Sequence, residues 1–332
     1  MIDSSQPPRT SVIIVNYGTA DLTAAAVDSV LQWHRGDPAV EVHVVDNASP
    51  GDDAAILARH HATREWGQQV VLHPESENHG FGRGNNVVLH QLAARDRPPE
   101  FVFLLNSDAS LENDAIVILR DFLAGRPEAG IAGAGIAKPD GEHVTAAFRF
   151  PGLAAEFAQA LSFGPVARLL ASRLMPLPPD QPQSRVDWVA GAAVMMRMAT
   201  LRDVDFFDPA FFLYYEEVDL MRSAARRGWQ TWYVPSARVI HAEGASTGVK
   251  SGRIERRRRP AYWYHSWQYY HRKGSGRGAA LLTAGAFLVG TAGNLALCAL
   301  RGRTSSAPRY AFRDFLRFAV QPLIAGKKMS HD

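Results

Sequence analysis

Three acids crowd the segment Phe211-Phe-Leu-Tyr-Tyr-Glu-Glu-Val-Asp219. Glu216, Glu217 and Asp219 follow five apolar residues, which is not the pattern of an ordinary solvated face. Paired carboxylates in a cleft can divide into a base and a hydrogen-bonding support. Acids in a first helical turn also serve as plain partners of the helix dipole, and spacing alone leaves both readings open. Asn106-Ser-Asp108 follows the apolar run Phe101–Leu105. A carboxylate past the end of a buried strand suits a hard divalent cation that itself holds a diphosphate, or else a plain helix cap. Tyr233-Val-Pro-Ser-Ala-Arg-Val-Ile-His241 ends in a histidine, either structural or a ligand. Asn78-His-Gly-Phe-Gly-Arg-Gly-Asn-Asn86 packs three glycines into a loop expected to open a helix, where backbone can approach a phosphate. Its G-x-G-x-G spacing, after a third strand rather than a first, is not a dinucleotide fingerprint.

These residues need a scaffold, and the first half of the chain alternates strand-like and helix-like segments. Strands are predicted at Ser11–Asn16, Glu41–Asp46, Gln69–Leu72 and Phe101–Asn106. Helices are predicted at Thr19–His34, Asp52–Glu65, Asn85–Arg95 and Glu112–Ala124. Short apolar runs separated by helices imply mainly parallel strands with crossovers, an α/β class. Asn16, Asp46, Asn106 and Asp108 then sit just past strand ends, where open α/β sheets bind ligands. Beyond these come strand-like pieces at Ile131–Ile136 and Ala192–Met196, with the Pro-rich linker Met175–Pro182 between them. A helix is predicted from Glu216 to its stop at Gly228.

The chain has 332 residues, 46% hydrophobic and 21% charged, enough to build a large core. Its one cysteine excludes a disulfide framework and a thiolate metal cluster. That residue, Cys298, lies in an apolar stretch and reads as a small hydrophobe rather than a nucleophile. Met1–Thr10 is polar and Pro-rich, and the run Ser11–Val15 is too short for a secretory signal, so the chemistry is expected in the cytosol.

The net charge of +3 conceals an asymmetry. Residues 1–249 carry 20 Lys+Arg against 30 Asp+Glu, and residues 250–332 carry 16 against 3. A catalytic body, 1–249, is therefore expected to precede a basic, aromatic and apolar helical tail, 250–332. From Lys250 to Arg277 there are nine basic residues, interleaved with Tyr262, Trp263, Tyr264, Trp267, Tyr269 and Tyr270. Basic and aromatic residues together suit either an anionic headgroup layer or single-stranded nucleic acid. Gly278–Leu300 holds 23 residues without a charge, roughly 34 Å as a helix. That favours an anionic membrane surface as partner and no nucleic acid. The stretch also holds four glycines and Asn294, with Leu281, Leu288 and Leu295 seven apart, a stripe that fits an in-plane or packed helix. Peripheral, re-entrant or single-span attachment at the cytoplasmic face of the membrane is expected.

Six motifs occur in order: Val44-Val-Asp-Asn-Ala-Ser49, Asn78-x-Gly-Phe-x-x-Gly-Asn-Asn86, Leu104-Leu-Asn-Ser-Asp108, Trp188-Val-x-Gly-Ala192, Phe211-Phe-Leu-Tyr-x-Glu-Glu-x-Asp-Leu220 and Pro235-x-Ala-x-Val-x-His241. Through them the chain resembles family-2 glycosyltransferases of the GT-A fold over about residues 10–245. More narrowly it resembles the rhamnosyltransferase-like and galactofuranosyltransferase-like members that build bacterial surface polysaccharides.

That resemblance implies a nucleotide-sugar-binding fold with a mostly parallel central sheet. It implies that Asp46 binds the nucleotide base, with Asn16 beside it. The segment containing Asn78, Gly80, Phe81, Arg83, Asn85 and Asn86 would close over nucleotide and diphosphate. Asp108 matches the last acid of a D-x-D metal motif, whose first acid is here Asn106. His241 matches a histidine that completes the site for Mg²⁺ or Mn²⁺. Glu217 matches the general base, an aspartate in most relatives, with Glu216 and Asp219 as rivals for the role. Trp188 and Gly191 match an acceptor-side segment. The implied reaction is single displacement with inversion, from a dTDP- or UDP-sugar (dTDP-rhamnose foremost) to a lipid-linked or polysaccharide acceptor. A nucleotidyltransferase would share the α/β core, but its acids would not fall so late. A catalytically silent sugar-binding relative is the non-enzyme alternative, given Asn106 and Glu217.

Overall fold

The structure is a computed structural model, and it describes residues 9–242, 258–305 and 307–326. In chain order the elements begin with β1 (Thr10–Asn16), α1 (Ala20–His34), β2 (Val40–Asp46), α2 (Asp53–Thr63), β3 (Val70–Pro74) and α3 (Gly80–Ala93). There follow β4 (Phe101–Leu105), β5 (Ala109–Leu111), α4 (Ala115–Ala124), β6 (Ala129–Ala137), β7 (His143–Val144), β8 (Ala147–Phe148), α5 (Leu153–Leu161) and α6 (Gly164–Leu169). The remainder comprises β9 (Ser184–Val186), β10 (Trp188–Val189), β11 (Ala193–Arg197), α7 (Met198–Asp203), α8 (Glu216–Arg226), β12 (Gln230–His241), α9 (Ala261–Leu300), α10 (Ala311–Phe315) and α11 (Gln321–Ala325). The chain divides into two compact units, one of residues 1–148, 177–209 and 220–250, the other of 149–176, 210–219 and 251–332.

The first unit is built on a sheet of order β3-β2-β1-β4-β11-β6-β12-β5, with β7 beside β6 and β9 beside β12. Strands β3, β2, β1 and β4 run parallel; β11 enters antiparallel between β4 and β6, and β6 and β12 are again parallel. The strands read as unbroken apolar runs because both faces are covered. Val12, Ile14, Val42, Val44, Phe101 and Phe103 are buried in one cluster with Val27, Leu57, Leu119 and Leu123 of the flanking helices. Each such side chain contributes about 1.5–3 kcal/mol of burial.

Register converts this packing into a site. Asn16 pairs with Asp46 at the carboxyl ends of β1 and β2, and Asn106 follows the end of β4. Strand β12 pairs His241 with Ala109 of β5, and the backbone N–H of Ala242 donates to the carbonyl of Asp108.

Two helix starts differ from the sequence expectation by three residues or more. The glycine-rich segment is not a loop before a helix at Asn85, because α3 already starts at Gly80. Gly84 explains why glycine is needed inside that helix: a Cβ there would stand 3.2 Å from Val15 Cγ1, so α3 lies close against β1. Helix α4 starts at Ala115 rather than Glu112, because Asp114 caps it by accepting from the N–H of Val117.

In the second unit α9 runs for 40 residues, with helical backbone broken at Gly276, φ 81° and ψ 166°. Its core joins Tyr264, Trp267, Ala280, Ala284, Phe287, Phe315, Ala319 and Leu323. Three of the six expected headgroup-facing aromatics are turned inward: Tyr264, Trp267 and Tyr270 are buried. The others meet the acid-bearing segment, Tyr269 edge-on to Phe211, Tyr262 beside Phe212 and Trp263 against Tyr215. Of the predicted stripe, Leu281 and Leu288 pack on the core, as the packed-helix reading expects, whereas Leu295 is exposed along with Leu282 and Val289. Lys250, Arg253, Arg256 and Arg257 lie outside the described residues.

Candidate active site

At the carboxyl ends of β1 and β2, Asn16 is fully buried and completely engaged. Its Nδ2 donates to Asp46 Oδ1 (2.8 Å), Ser49 Oγ (3.1 Å) and Asp53 Oδ1 (3.1 Å), and its Oδ1 accepts from Thr19 and Thr23. Asn16 is thus the fixture that orients Asp46. Ser49 Oγ donates to the same Asp46 Oδ1 at 2.5 Å, leaving Asp46 Oδ2 without a partner among the described residues. A carboxylate so held, with one open oxygen, can accept hydrogen bonds from a nucleobase edge or ribose.

Next along β2 is Asn47, which the motif contained but which was not singled out. Its Nδ2 donates to Asn78 Oδ1 (3.1 Å) and the Gly80 carbonyl (3.0 Å), and its Oδ1 accepts from the His79 N–H (2.9 Å). Asn78 Oδ1 also accepts from the Gly80 N–H at 2.9 Å. Asn47 therefore pins the entry of α3 to the Asp46 strand end. Being a polar residue directly past a buried strand, it carried the same signal as Asp46.

The remaining α3 residues divide. Asn86 turns inward and brackets Phe207, donating to its carbonyl (2.8 Å) and accepting from its N–H (3.1 Å). Asn85 donates to the Phe81 carbonyl (2.9 Å), while its buried Oδ1 has no partner among the described residues. Phe81 and Arg83 stay half-buried, Phe81 edge-on to Phe207 and Arg83 Nε donating to the His79 carbonyl at 3.1 Å.

Asp108 and His241 meet. His241 Nε2 lies 2.9 Å from Asp108 Oδ1 and 3.3 Å from the Asn106 amide nitrogen. The Asp108 side chain is 3% exposed and that of His241 15%. A carboxylate, an imidazole and an amide on adjoining strand ends fit a divalent cation such as Mn²⁺ or Mg²⁺. No cluster of three or more His, Cys, Asp or Glu exists among the described residues.

The acids of α8 belong to the second unit. Tyr214 and Tyr215 enter the helix with φ near +70°, a strained region for non-glycine residues, and the strain aims the first turn. Burial, reinforced by the neighbouring Glu217 charge, pushes the Glu216 carboxyl well above the ordinary carboxylate range. Burial also raises Glu217, against backbone N–H groups of the helix start that hold it down. Glu216 Oε2 and Glu217 Oε2 are both buried without hydrogen-bond partners among the described residues. Asp219 differs, because Lys273 Nζ of α9 donates to its Oδ2 at 2.6 Å. Lys273 escaped sequence reading, since nothing in the local pattern links it to an acid so distant in the chain. Burial thus raises both Glu216 and Glu217, while Asp219 is paired with a cation.

Trp188 and Gly191 belong to the first unit. Trp188 stacks on Phe148 with ring centroids 4.1 Å apart and planes 13° from parallel, and Gly191 is half-buried in the turn before β11.

A mixed α/β sheet with polar groups gathered at its strand ends, and an acid-led helix late in the chain, fit the glycosyltransferase class. The family model "Glycosyltransferase like family 2" matches residues 7–263, and the chain belongs to that family. It is 30% identical over 220 residues to the N-acetylglucosaminyl-diphospho-decaprenol L-rhamnosyltransferase of Mycobacterium tuberculosis, covering 63% of this chain and 68% of that one. It is 22% identical over 237 residues to the rhamnosyltransferase WbbL of Escherichia coli K12, covering 69% and 82%. Among solved structures, the mannosyltransferase PcManGT from Pyrobaculum calidifontis, in complex with GDP-Man and Mn²⁺, superposes with a TM-score of 0.53 at 17% identity. That match covers 99% of this chain and 90% of that one, a likeness that shows the shared GT-A fold.

Proposed function

We propose that this glycosyltransferase moves rhamnose from dTDP-rhamnose, with inversion, to a lipid-linked saccharide at the cytoplasmic face of a membrane. The observation that carries the reading is the buried Glu216–Glu217 pair beside a neutralised Asp219, which suits a general base on the acceptor side. The rhamnosyl donor and the diphospholipid acceptor are supported by the names of the M. tuberculosis and E. coli relatives.

In this reading Glu217 accepts the proton of the acceptor hydroxyl as its oxygen bonds to the anomeric carbon. The bond from that carbon to the diphosphate breaks, and the nucleoside diphosphate leaves with the electron pair. Raising the base toward neutrality brings it closer to the operating pH, where general bases work best. Protonated Glu216 can donate a hydrogen bond to its ionised neighbour, as paired carboxyl groups in apolar sites do. Asp46 holds the nucleotide, positioned by Asn16, and the α3 entry held by Asn47 lies over the diphosphate. Asp108 and His241 would hold the cation, with Asn106 beside them. A cation there would stabilise the charge developing on the leaving diphosphate. Trp188 and Gly191 contribute to acceptor binding.

Calorimetry with dTDP-rhamnose, UDP-glucose and UDP-galactose, each with and without Mn²⁺, tests the donor side. The expected result is binding of dTDP-rhamnose that Mn²⁺ strengthens in the native protein but not in Asp108→Ala. Preference for a UDP-sugar, or an unchanged metal response in Asp108→Ala, would overturn the corresponding assignment.

A further inference from the structure

Helix α9 is long and apolar enough to cross a membrane by length and composition. What surrounds it within the second unit argues against a crossing. The chain leaving α9 turns back onto the segment that precedes its apolar stretch. Phe315 stacks on Phe287 at 4.2 Å, meets Trp267 at 4.7 Å and reaches Tyr264 at 6.1 Å. Arg258 donates twice to Asp314, at 2.6 and 2.7 Å, and Arg277 donates to the carbonyls of Leu323 and Ile324. The flanks of the apolar stretch are therefore held together, whereas a span would put them on opposite faces of the bilayer.

The inward face of α9 is also occupied. A Cβ on Gly290 would stand 2.6 Å from the Phe157 carbonyl oxygen, so α9 presses against α5. Asn294 Nδ2 donates to the Leu161 carbonyl at 3.0 Å, and Ser305 Oγ donates to Asn294 Oδ1 at 2.5 Å. At nine residues, about 14 Å, α5 is too short to accompany α9 through a bilayer. The outward face is different. Leu282, Val289, Leu295 and Leu300 are 68, 64, 40 and 84% exposed. Gly285, Ala292, Ala296 and Ala299 lie exposed between them, and no charge interrupts the stripe. Exposed Arg277 stands at one end, and exposed Arg301 and Arg303 at the other.

We propose that α9 docks in the plane of an anionic bilayer through Leu282, Val289, Leu295 and Leu300, with the flanking arginines on lipid phosphates, and does not span it. An amphipathic helix so placed buries its apolar face at the boundary of headgroups and acyl chains. The basic excess of the tail selects an anionic surface over a neutral one. The inference deepens the lipid-linked acceptor reading and rests on it. The same helix carries Lys273, which binds Asp219, so docking would hold the α8 acids beside the headgroup layer where a lipid-linked acceptor presents its sugar.

The test uses the full chain and vesicles of phosphatidylglycerol and phosphatidylcholine in equal parts, with pure phosphatidylcholine as control. Nitroxides are placed at Leu282→Cys, Val289→Cys and Leu295→Cys in a Cys298→Ala background, and their depth is read by paramagnetic accessibility. Equal, shallow depths are expected; a mid-bilayer maximum at Val289 would overturn the in-plane placement. Leu282→Glu with Val289→Glu should weaken binding to anionic vesicles about tenfold or more, with rhamnosyl transfer to a water-soluble acceptor unchanged. Unweakened vesicle binding by that variant would also defeat the proposal. Rhamnosyl transfer without vesicle binding would overturn the docking alone; vesicle binding without rhamnosyl transfer would support docking and overturn the proposed function.

Discussion

Glu217 shares a water-poor site with Glu216, and two carboxyl groups so placed cannot both ionise without cost. The protein settles the conflict by chemistry available nearby. Backbone N–H groups at the helix start oppose the effect of burial on both carboxyls, and Lys273 pairs with the third acid, Asp219. At the carboxyl end of β2, Asn47 makes three side-chain hydrogen bonds to Asn78, His79 and Gly80. Asn47→Ala should leave the fold intact and weaken donor binding about tenfold, measured by calorimetry, because each lost hydrogen bond is worth about 1 kcal/mol or less at a partly open site. Asp46, Asp108 and the α8 acids were legible in the sequence because polar residues after unbroken apolar runs are conspicuous. Asn16 was legible only as a neighbour; that it holds Asp46 rather than a ligand follows from contacts with Thr19, Thr23, Ser49 and Asp53 that no spacing encodes.

Elements position these groups through close approaches that depend on glycine. Gly290 lies where α9 and α5 touch, and an added methyl would meet the Phe157 carbonyl at 2.6 Å and Ala160 Cβ at 2.9 Å. Gly290→Ala should destabilise the second unit by about 1–3 kcal/mol, the cost of overpacking. Thermal unfolding checks it, and an unchanged Tm would contradict the packing described. The strands of the first half were legible because buried parallel strands are continuous apolar runs. The start of α3 was not, because glycines signal loops locally while here they serve packing of α3 on β1. The tail aromatics misled for a related reason. Tyr264, Trp267 and Tyr270 have the composition of a headgroup-facing belt, yet Tyr264 and Trp267 fill a core with Phe287 and Phe315, and Tyr270 is buried against Tyr215. Composition cannot tell a wet aromatic from one whose partner arrives later in the chain.

At the scale of the whole molecule, charge and pH act together. Burial, helped by the positive charge of neighbouring His43, lowers His73 from 6.5 to about 4. Glu41 is held down at about 2, since hydrogen bonds from His43, Arg95 and Ser11 and the His43 charge outweigh the opposing effect of burial. In the unfolded chain His73 takes a proton near pH 6.5 while the folded one refuses it until about pH 4, so stability falls as pH drops through that window. Glu41 then loses its stabilising charge as pH falls from 4.5 through about 2. Denaturation midpoints measured from pH 7 to pH 4 should decline, and His73→Gln should flatten the decline; a slope unchanged in that variant would remove His73 from the account. Glu217 is the residue on which the proposed transfer depends. Initial rates of rhamnosyl transfer from dTDP-rhamnose to a polyprenyl-diphosphate-linked N-acetylglucosamine, measured alongside donor affinity for the native chain and Glu217→Gln, test it most directly. The expected result is a kcat lowered about 10²–10⁴-fold with donor Kd unchanged. A variant that turns over at the native rate, or one that loses donor binding and turnover in equal measure, would contradict the assignment of Glu217 as the base.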